Sequence, residues 1–265
     1  MASSILTLIT DFGAKDHYVG TMKGVILSIF PDARLVDITH EIPPFSIHEG
    51  AYALAQSVPH FPPGTVHLIV VDPGVGTSRR AILAEANKQF FIAPDNGVLS
   101  LVLRSCRTYQ IRELTNRALW RPSLSSTFHG RDIFAPVAAV IAGGKSQPED
   151  AGPLIEDPIF LPDLEPQLLA DGAWRGVVLS VDHFGNVITN FARDRFLENL
   201  QNGYALATGS HLVTRFHKTF GEAPSHEIFA YAGSSGYLEV GINQGSAAAS
   251  LGLRAGDPVQ LGRFG

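Results

Sequence analysis

The chain carries a single cysteine, Cys106, among 265 residues. That excludes an intramolecular disulfide and any cysteine-clustered zinc or iron–sulfur site, and it fits a reducing compartment. Charge is also scarce, with 17% Asp, Glu, Lys and Arg against about 25% in ordinary domains. The 20 Lys and Arg are outnumbered by 25 Asp and Glu, so the basic excess of a nucleic-acid binder is missing. No apolar run approaches the ~18 to 20 residues that span a bilayer. The opening MASSILTLITDFG lacks the basic stretch and small-residue cleavage site of a secretory leader. Ten histidines include no HExxH or comparable spacing, so no metal site is expected. These absences lead to a cytoplasmic protein that meets neither nucleic acid nor membrane.

What is present is enough apolar material, 45% of the residues, for a substantial core and about two domains. Ile5–Thr10 is a β-branched run that stops at Asp11-Phe12-Gly13. Tyr18–Phe30 has helical spacing, Arg34–Ile38 reads as a strand, Ile47–Val58 as a helix and Thr65–Val71 as a strand ending at Asp72-Pro73-Gly74. A hairpin (Ile82–Ala86, Phe90–Ala93), a short helix after Asn96, a strand near Tyr109–Ile111 and a helix over Phe134–Ala142 follow. This alternation predicts an α/β domain over 1–150 with a mostly parallel sheet. Residues 151–173 lack a sustained period and read as a linker. Beyond them, 174–265 holds short strands between Gly and Ser turns and one helix over Arg193–Leu200, which predicts a smaller β-rich domain of barrel or sandwich type.

The chemistry-bearing residues sit where those strands end. Asp11 and Asp72 each follow a strand, and parallel sheets place ligands at the carboxyl ends of their strands, so the two carboxylates are expected on one rim. Asp11 either caps a turn or accepts two hydrogen bonds, as from a ribose cis-diol. The letters Asp11-Phe12-Gly13 match a kinase motif, but the rest of the kinase set is absent upstream. In Asp72-Pro73-Gly74-Val75-Gly76-Thr77-Ser78-Arg79-Arg80 the glycines either form a turn or let backbone approach a ligand. No Gly-Lys-Ser/Thr follows, so it is not a Walker loop. His129, in Thr127-Phe128-His129-Gly130-Arg131-Asp132, is flanked by small and polar residues rather than an apolar run. In Asp182-His183-Phe184-Gly185-Asn186, the Asn186 amide has the donor and acceptor that pair with an adenine edge, and the same segment can be a plain hairpin turn. Ser234-Ser235-Gly236-Tyr237-Leu238-Glu239 carries similar small polar residues into a strand.

In this order and spacing, TDFG, VVDPGVGTSRR, APDNG, TFHGRD, DHFGNVITN and GSSGYLEVGIN cover nearly the whole chain. Together they resemble the S-adenosyl-L-methionine hydroxide adenosyltransferase family, related to fluorinase and chlorinase. The resemblance implies an N-terminal α/β domain, a C-terminal β-rich domain, and a homotrimer whose sites join the first domain of one subunit to the second domain of its neighbour. It implies that Asp72, Arg79 and His129 handle a water nucleophile. Asp11 then grips the ribose and Phe45 walls the ribose and sulfonium. Asp182 and Ser234 meet the methionine part, Phe184 and Asn186 the adenine, and Glu239 and Ile242 lie in the last ligand segment. The expected reaction takes S-adenosyl-L-methionine and water to adenosine and L-methionine, with no cofactor or metal. The alternatives are a halogenase releasing a 5′-halo-adenosine and a non-catalytic sensor of adenosine or S-adenosyl-L-methionine. Against the halogenase, Asp72 stands where fluorinase has tyrosine and Gly130 where it has serine. Ser235 replaces a family arginine, which leaves the methionine carboxylate contact unassigned.

Overall fold

The computed structural model describes residues 5–209 and 211–264. The first four residues of the start read above as leader-free lie outside that range, as do positions 210 and 265. The chain divides at Leu161/Pro162 into two compact units. Among the described residues no helix is long and apolar enough to cross a membrane.

In the first unit, β1 (Ile5–Thr10), α1 (Tyr18–Ile29), β2 (Arg34–Thr39), α2 (Ile47–Ser57) and β3 (Val66–Val70) alternate as their apolar periods predict. β4 (Ala81–Ala86) and β5 (Gln89–Pro94) form the hairpin, then α3 (Ser100–Ser105), β6 (Tyr109–Glu113) and α4 (Ala135–Ala142) follow. Asn87 and Lys88 both have positive φ at the hairpin tip, the geometry of a two-residue turn matched to strand twist. The sheet order is β2-β1-β3-β5-β4-β6; its first three pairings are parallel and the last two antiparallel. Side chains alternate across it. Leu68 and Val70 pack with Met22, Ile26 and Val137 on one face, while Ile69 and Val71 pack with Leu54, Leu99 and Val102 on the other. Helices therefore cover both faces, which is why the central strands β1 and β3 are buried and mostly apolar, the polar Thr7 and His67 in them bonding each other.

That order positions the site. β2 and β3 flank β1 on opposite sides, so the connections leaving β1 and β3 diverge. Thr10 is in register with Val70, and the residues that follow each strand emerge together at the divergence, where open α/β sheets bind ligands.

The second unit holds β7 (Gln167–Leu168), β8 (Trp174–Val181), β9 (Val187–Ala192), α5 (Arg193–Gln201), β10 (Ala205–Thr208), β11 (His211–Val213), β12 (Ile228–Ala232), β13 (Tyr237–Ile242), α6 (Ala247–Leu251) and β14 (Pro258–Gly262). All its strand pairs are antiparallel, in the order β11-β10-β14-β8-β9-β13-β12 with β7 beside β8. The chain just past β11 reaches β12: Ala230 N–H donates to the Arg215 carbonyl at 2.8 Å and His217 N–H to the Ala230 carbonyl at 3.1 Å. The sheet thus closes into a barrel-like unit around Val178, Phe191, Phe196, Leu206, Val240 and Leu261.

Residues 151–173 are more ordered than their lack of period suggests. Ile155 N–H donates to Ile111 and Ile159 N–H to the Asp95 carboxylate, tying the early part to the first unit. Asn190 donates to the Asp163 and Leu164 carbonyls, tying the later part to the second.

Candidate active site

A cavity of about 210 Å³ opens where β1 and β3 end. Asp11, Phe45, Asp72 and His129 all line it, together with Phe12, Pro44, Val70, Val75, Thr127, Phe128 and Gly130. Asp11 and Asp72 therefore share the rim that the strand ends predict. Phe12, Phe128 and Tyr18 form one aromatic wall, with ring centroids 5.1 to 5.9 Å apart.

Asp72 leaves β3 and is met by Arg79 from the same loop. Arg79 Nε donates to one Asp72 oxygen at 3.0 Å and Nη2 to the other at 2.5 Å, a bidentate fork. Both side chains are less than a tenth exposed. Arg79 also lies 5.3 Å from the centroid of the Phe134 ring, which it covers. Burial pushes the Asp72 carboxyl up despite the attraction of Arg79, and pushes Arg79 down despite Asp72. The pair thus keeps two charges in surroundings that disfavour both.

His129 completes the group. Its Nδ1 is 3.2 Å from Arg79 Nη2. A guanidinium can only donate, so Nδ1 accepts and the imidazole proton sits on Nε2. Burial, followed by the Arg79 charge, lowers the pKa of His129 and favours this neutral form. The loop bearing His129 is fixed by Asp132, whose carboxylate is fully buried and accepts from Arg131 and from the Ser125 N–H. A π-helical turn, Gly130–Phe134, precedes α4; such turns widen a helix start and recur at functional sites. The loops carrying Arg79 and His129 meet at Gly76 (φ +78°), where a Cβ would lie 2.4 Å from the Ser126 carbonyl oxygen. Only glycine allows that approach.

Asp11 accepts the Phe45 N–H at 2.9 Å, and burial raises its pKa. Phe45 follows Pro43-Pro44 in a turn closed by Ser46 N–H to the Pro43 carbonyl, with φ +68° where such turns favour glycine. Its ring is 70% exposed. A large aromatic is thus held in a strained conformation at the cavity's edge and left open to solvent.

The second unit has its own cavity, about 500 Å³, lined by Phe184, Asn186, Phe220, Ile242, Gln244 and Gly245. Asp182, Ser234 and Glu239 are not among its lining residues. The Asp182 carboxylate accepts the Phe184 and Asn186 N–H groups and the Asn186 Nδ2. That last bond fixes the amide so that its Oδ1 is the free acceptor. Glu239 is buried and accepts from Tyr231 Oη at 2.5 Å and Ser235 Oγ at 2.6 Å. Ser235, which stands at the family arginine, is thus engaged with Glu239, and Ser234 is exposed. Sequence reasoning missed Phe12 and Phe128, whose signal was their adjacency to Asp11 and His129. It missed Phe220 and Gln244, which lie in no motif.

Comparison with known proteins agrees with the division into two units. Residues 6–152 match the family model described as the SAM hydroxide adenosyltransferase N-terminal domain, and residues 176–260 the model of the C-terminal domain. An (R)-S-adenosyl-L-methionine hydrolase of Thermus thermophilus is 40% identical over 96% of this chain and 97% of its own length. One from Salinispora tropica is 41% identical, with 97% of each chain covered. A fluorinase of Nocardia brasiliensis is 31% identical over 97% of this chain and 96% of its own. The crystal structure of an uncharacterized conserved protein from Thermotoga maritima superposes with a TM-score of 0.87 at 39% identity, covering 97% of this chain and 100% of that one. With both family domains matched in order along the chain, it belongs to the S-adenosyl-L-methionine hydroxide adenosyltransferase family.

Proposed function

We propose that this chain hydrolyses S-adenosyl-L-methionine to adenosine and L-methionine by in-line attack of a water on C5′. One observation carries the reading: Asp72 and His129 line the cavity with Asp11 and Phe45, and Arg79, just behind it, bonds both of them. The two hydrolases named above are (R)-S-adenosyl-L-methionine hydrolases, and the R epimer is the proposed substrate. The leaving thioether is neutral and needs no acid, so the chemistry reduces to aligning and deprotonating the water. His129, with its proton on Nε2, donates to the water and orients it. Asp72 takes the proton, its raised pKa making it a better base than an exposed carboxylate. Arg79 balances the charge through both states. Side chains supply every step, and the reading needs no cofactor or metal.

The test is incubation with each sulfonium epimer, with and without chloride, followed by chromatography. Adenosine and methionine from the R epimer are the expected products. A 5′-chloro-adenosine product would make the protein a halogenase, and adenosine binding without turnover would make it a sensor.

Asp11 is proposed to hold the ribose hydroxyls. Asp11→Ala should weaken adenosine binding by roughly 1.5 to 3 kcal/mol for each charge-assisted bond lost, more than tenfold in affinity. Calorimetric titration reads this directly, and an unchanged affinity would remove Asp11 from the ribose. The second unit is proposed to supply the adenine contacts through Phe184, Asn186 and Ile242, with Asp182 setting the Asn186 amide. Ser234 and Glu239 are proposed to serve the methionine end. We further propose a homotrimer in which the first unit of one copy completes its site with the second unit of another. Sedimentation should give three times the chain mass, and a fully active monomer would contradict it.

A further inference from the structure

Behind the Asp72–Arg79 pair lies another row of polar contacts, from Asp95 and Asn96. β5 runs parallel to β3, with Leu68 in register with Ile92, so the residues after β5 leave the sheet on the same rim as Asp72. Asn96 Nδ2 donates to the Val71 carbonyl at 2.9 Å, gripping the peptide that precedes Asp72. Asn96 Oδ1 accepts the Val98 N–H at 3.2 Å, which fixes the amide orientation. Asp95 is 2% exposed and binds Arg80 through Nε at 2.8 Å and Nη2 at 2.7 Å. Arg80 is held on its other side by Asp157 at 2.8 Å. The Arg80 carbonyl accepts twice, from the Asp95 N–H at 2.9 Å and from Arg79 Nη1 at 3.1 Å. Each member of the Asp72–Arg79 pair is therefore anchored through main chain to one residue of Asp95-Asn96.

We propose that Asp95 and Asn96 are positioning residues for water activation, holding Asp72 and Arg79 in the geometry that serves His129 and the nucleophile. The inference rests on the hydrolase reading above. Arg79 makes three kinds of contact at once, to Asp72, to His129 and to the Arg80 carbonyl. Its Nη2 is shared between Asp72 and the imidazole, so a small rotation of the guanidinium breaks one of these bonds. The Arg80 carbonyl opposes that rotation, and Asp95 keeps the carbonyl in place. The same logic holds for Asn96 and the direction in which Asp72 leaves β3. Neither residue lines the cavity, so neither contributes to substrate affinity.

The test uses the full chain with Asp95→Asn, Asn96→Ala and the double variant Asp72→Asn/Asn96→Ala. Misplacing reacting groups by a fraction of an ångström to one ångström is costly, and kcat should fall about 10- to 100-fold in each single variant. KM for S-adenosyl-L-methionine and adenosine affinity should stay within about threefold, because binding groups are untouched. In the Asp72→Asn background, adding Asn96→Ala should change kcat by less than about threefold, since the carboxylate that Asn96 positions is already gone. Single variants that keep wild-type kcat overturn the proposal. So does a double variant whose losses multiply, or a rise in KM with kcat intact. Asp95 also accepts the Ile159 N–H. If its variant does not fold, Asn96→Ala decides alone. If the wild type releases no adenosine from either epimer, the hydrolase reading fails instead. The anchoring is then judged on the ligand-free protein by the His129 Nδ1 nitrogen resonance, which should move in Asn96→Ala and Asp95→Asn, and an unmoved resonance overturns it.

Discussion

Asp72→Asn should lose about 10² to 10⁴ in the rate of adenosine release while adenosine affinity changes little. Asparagine keeps the shape and can still hold a water, but it carries no charge and takes no proton. The alternative base is weak on geometric grounds. His129 accepts Arg79 Nη2 at Nδ1, which leaves its proton on Nε2 and no ring lone pair facing the water. His129→Asn removes an orienting donor and should also slow the reaction, and with both residues acting as a unit the double variant should fall far short of the product of the two losses. Single-turnover adenosine release is the measurement. Turnover by Asp72→Asn within threefold of wild type, with His129→Asn inactive, would hand the proton to the histidine and leave Asp72 a merely electrostatic role.

The same substitution tests the pair as a structural element. Arg79 is 7% exposed and pairs with Asp72 through two of its donors. Losing the carboxylate leaves a buried guanidinium facing a neutral amide, a change that typically destabilises by several kcal/mol when nothing compensates. Here the Arg80 carbonyl, His129 Nδ1 and the Phe134 ring remain as partners. The fold should therefore survive with a lowered melting temperature, and the rate loss can be read on folded protein.

How much of this was legible without coordinates depended on how local the signal was. Asp11 and Asp72 stand directly after β-branched runs, so their place at strand ends followed from the residues, and their shared rim followed from strand–helix alternation. The Arg79–Asp72 fork was not legible, because it depends on Gly76 folding the loop back at positive φ. The start of the helix after His129 was read from Phe134, yet the π-helical turn at Gly130–Phe134 has no periodic signature. Residues 151–173 looked like a linker because their restraints are long-range: Arg80 to Asp157, Asp95 to Ile159, Asn190 to Asp163. β11 is three residues long, too short to show a period. In the second unit Asn186, singled out from its motif, lines the cavity, but Phe220 enters it from a segment with no motif and packs there against Phe229 and Tyr231.

The stability of the protein should fall by about 3 kcal/mol between pH 6.5 and pH 4 on account of one residue, His67. It sits in the middle of β3 with no exposed surface, stacked on Phe91 at 5.0 Å between centroids and met edge-on by Phe61. Nδ1 is 2.7 Å from Thr7 Oγ1, and Nε2 has no partner among the described residues. Burial among these rings holds its pKa down at about 4, against 6.5 for an unburied imidazole. Between those values the unfolded chain binds a proton that the folded chain refuses, so the contribution is fully present above pH 6.5 and is lost as pH falls toward 4. His67→Gln keeps a group able to bond Thr7 but removes the titration. Urea midpoints for the two proteins, measured at intervals from pH 7 to pH 4, should diverge in slope through this window, with the variant less sensitive to acid. Other carboxylates and imidazoles titrate equally in both proteins and cancel in the difference. Parallel curves would mean that His67 takes up its proton without unfolding the strand, and that the space around Nε2 admits a water to receive it.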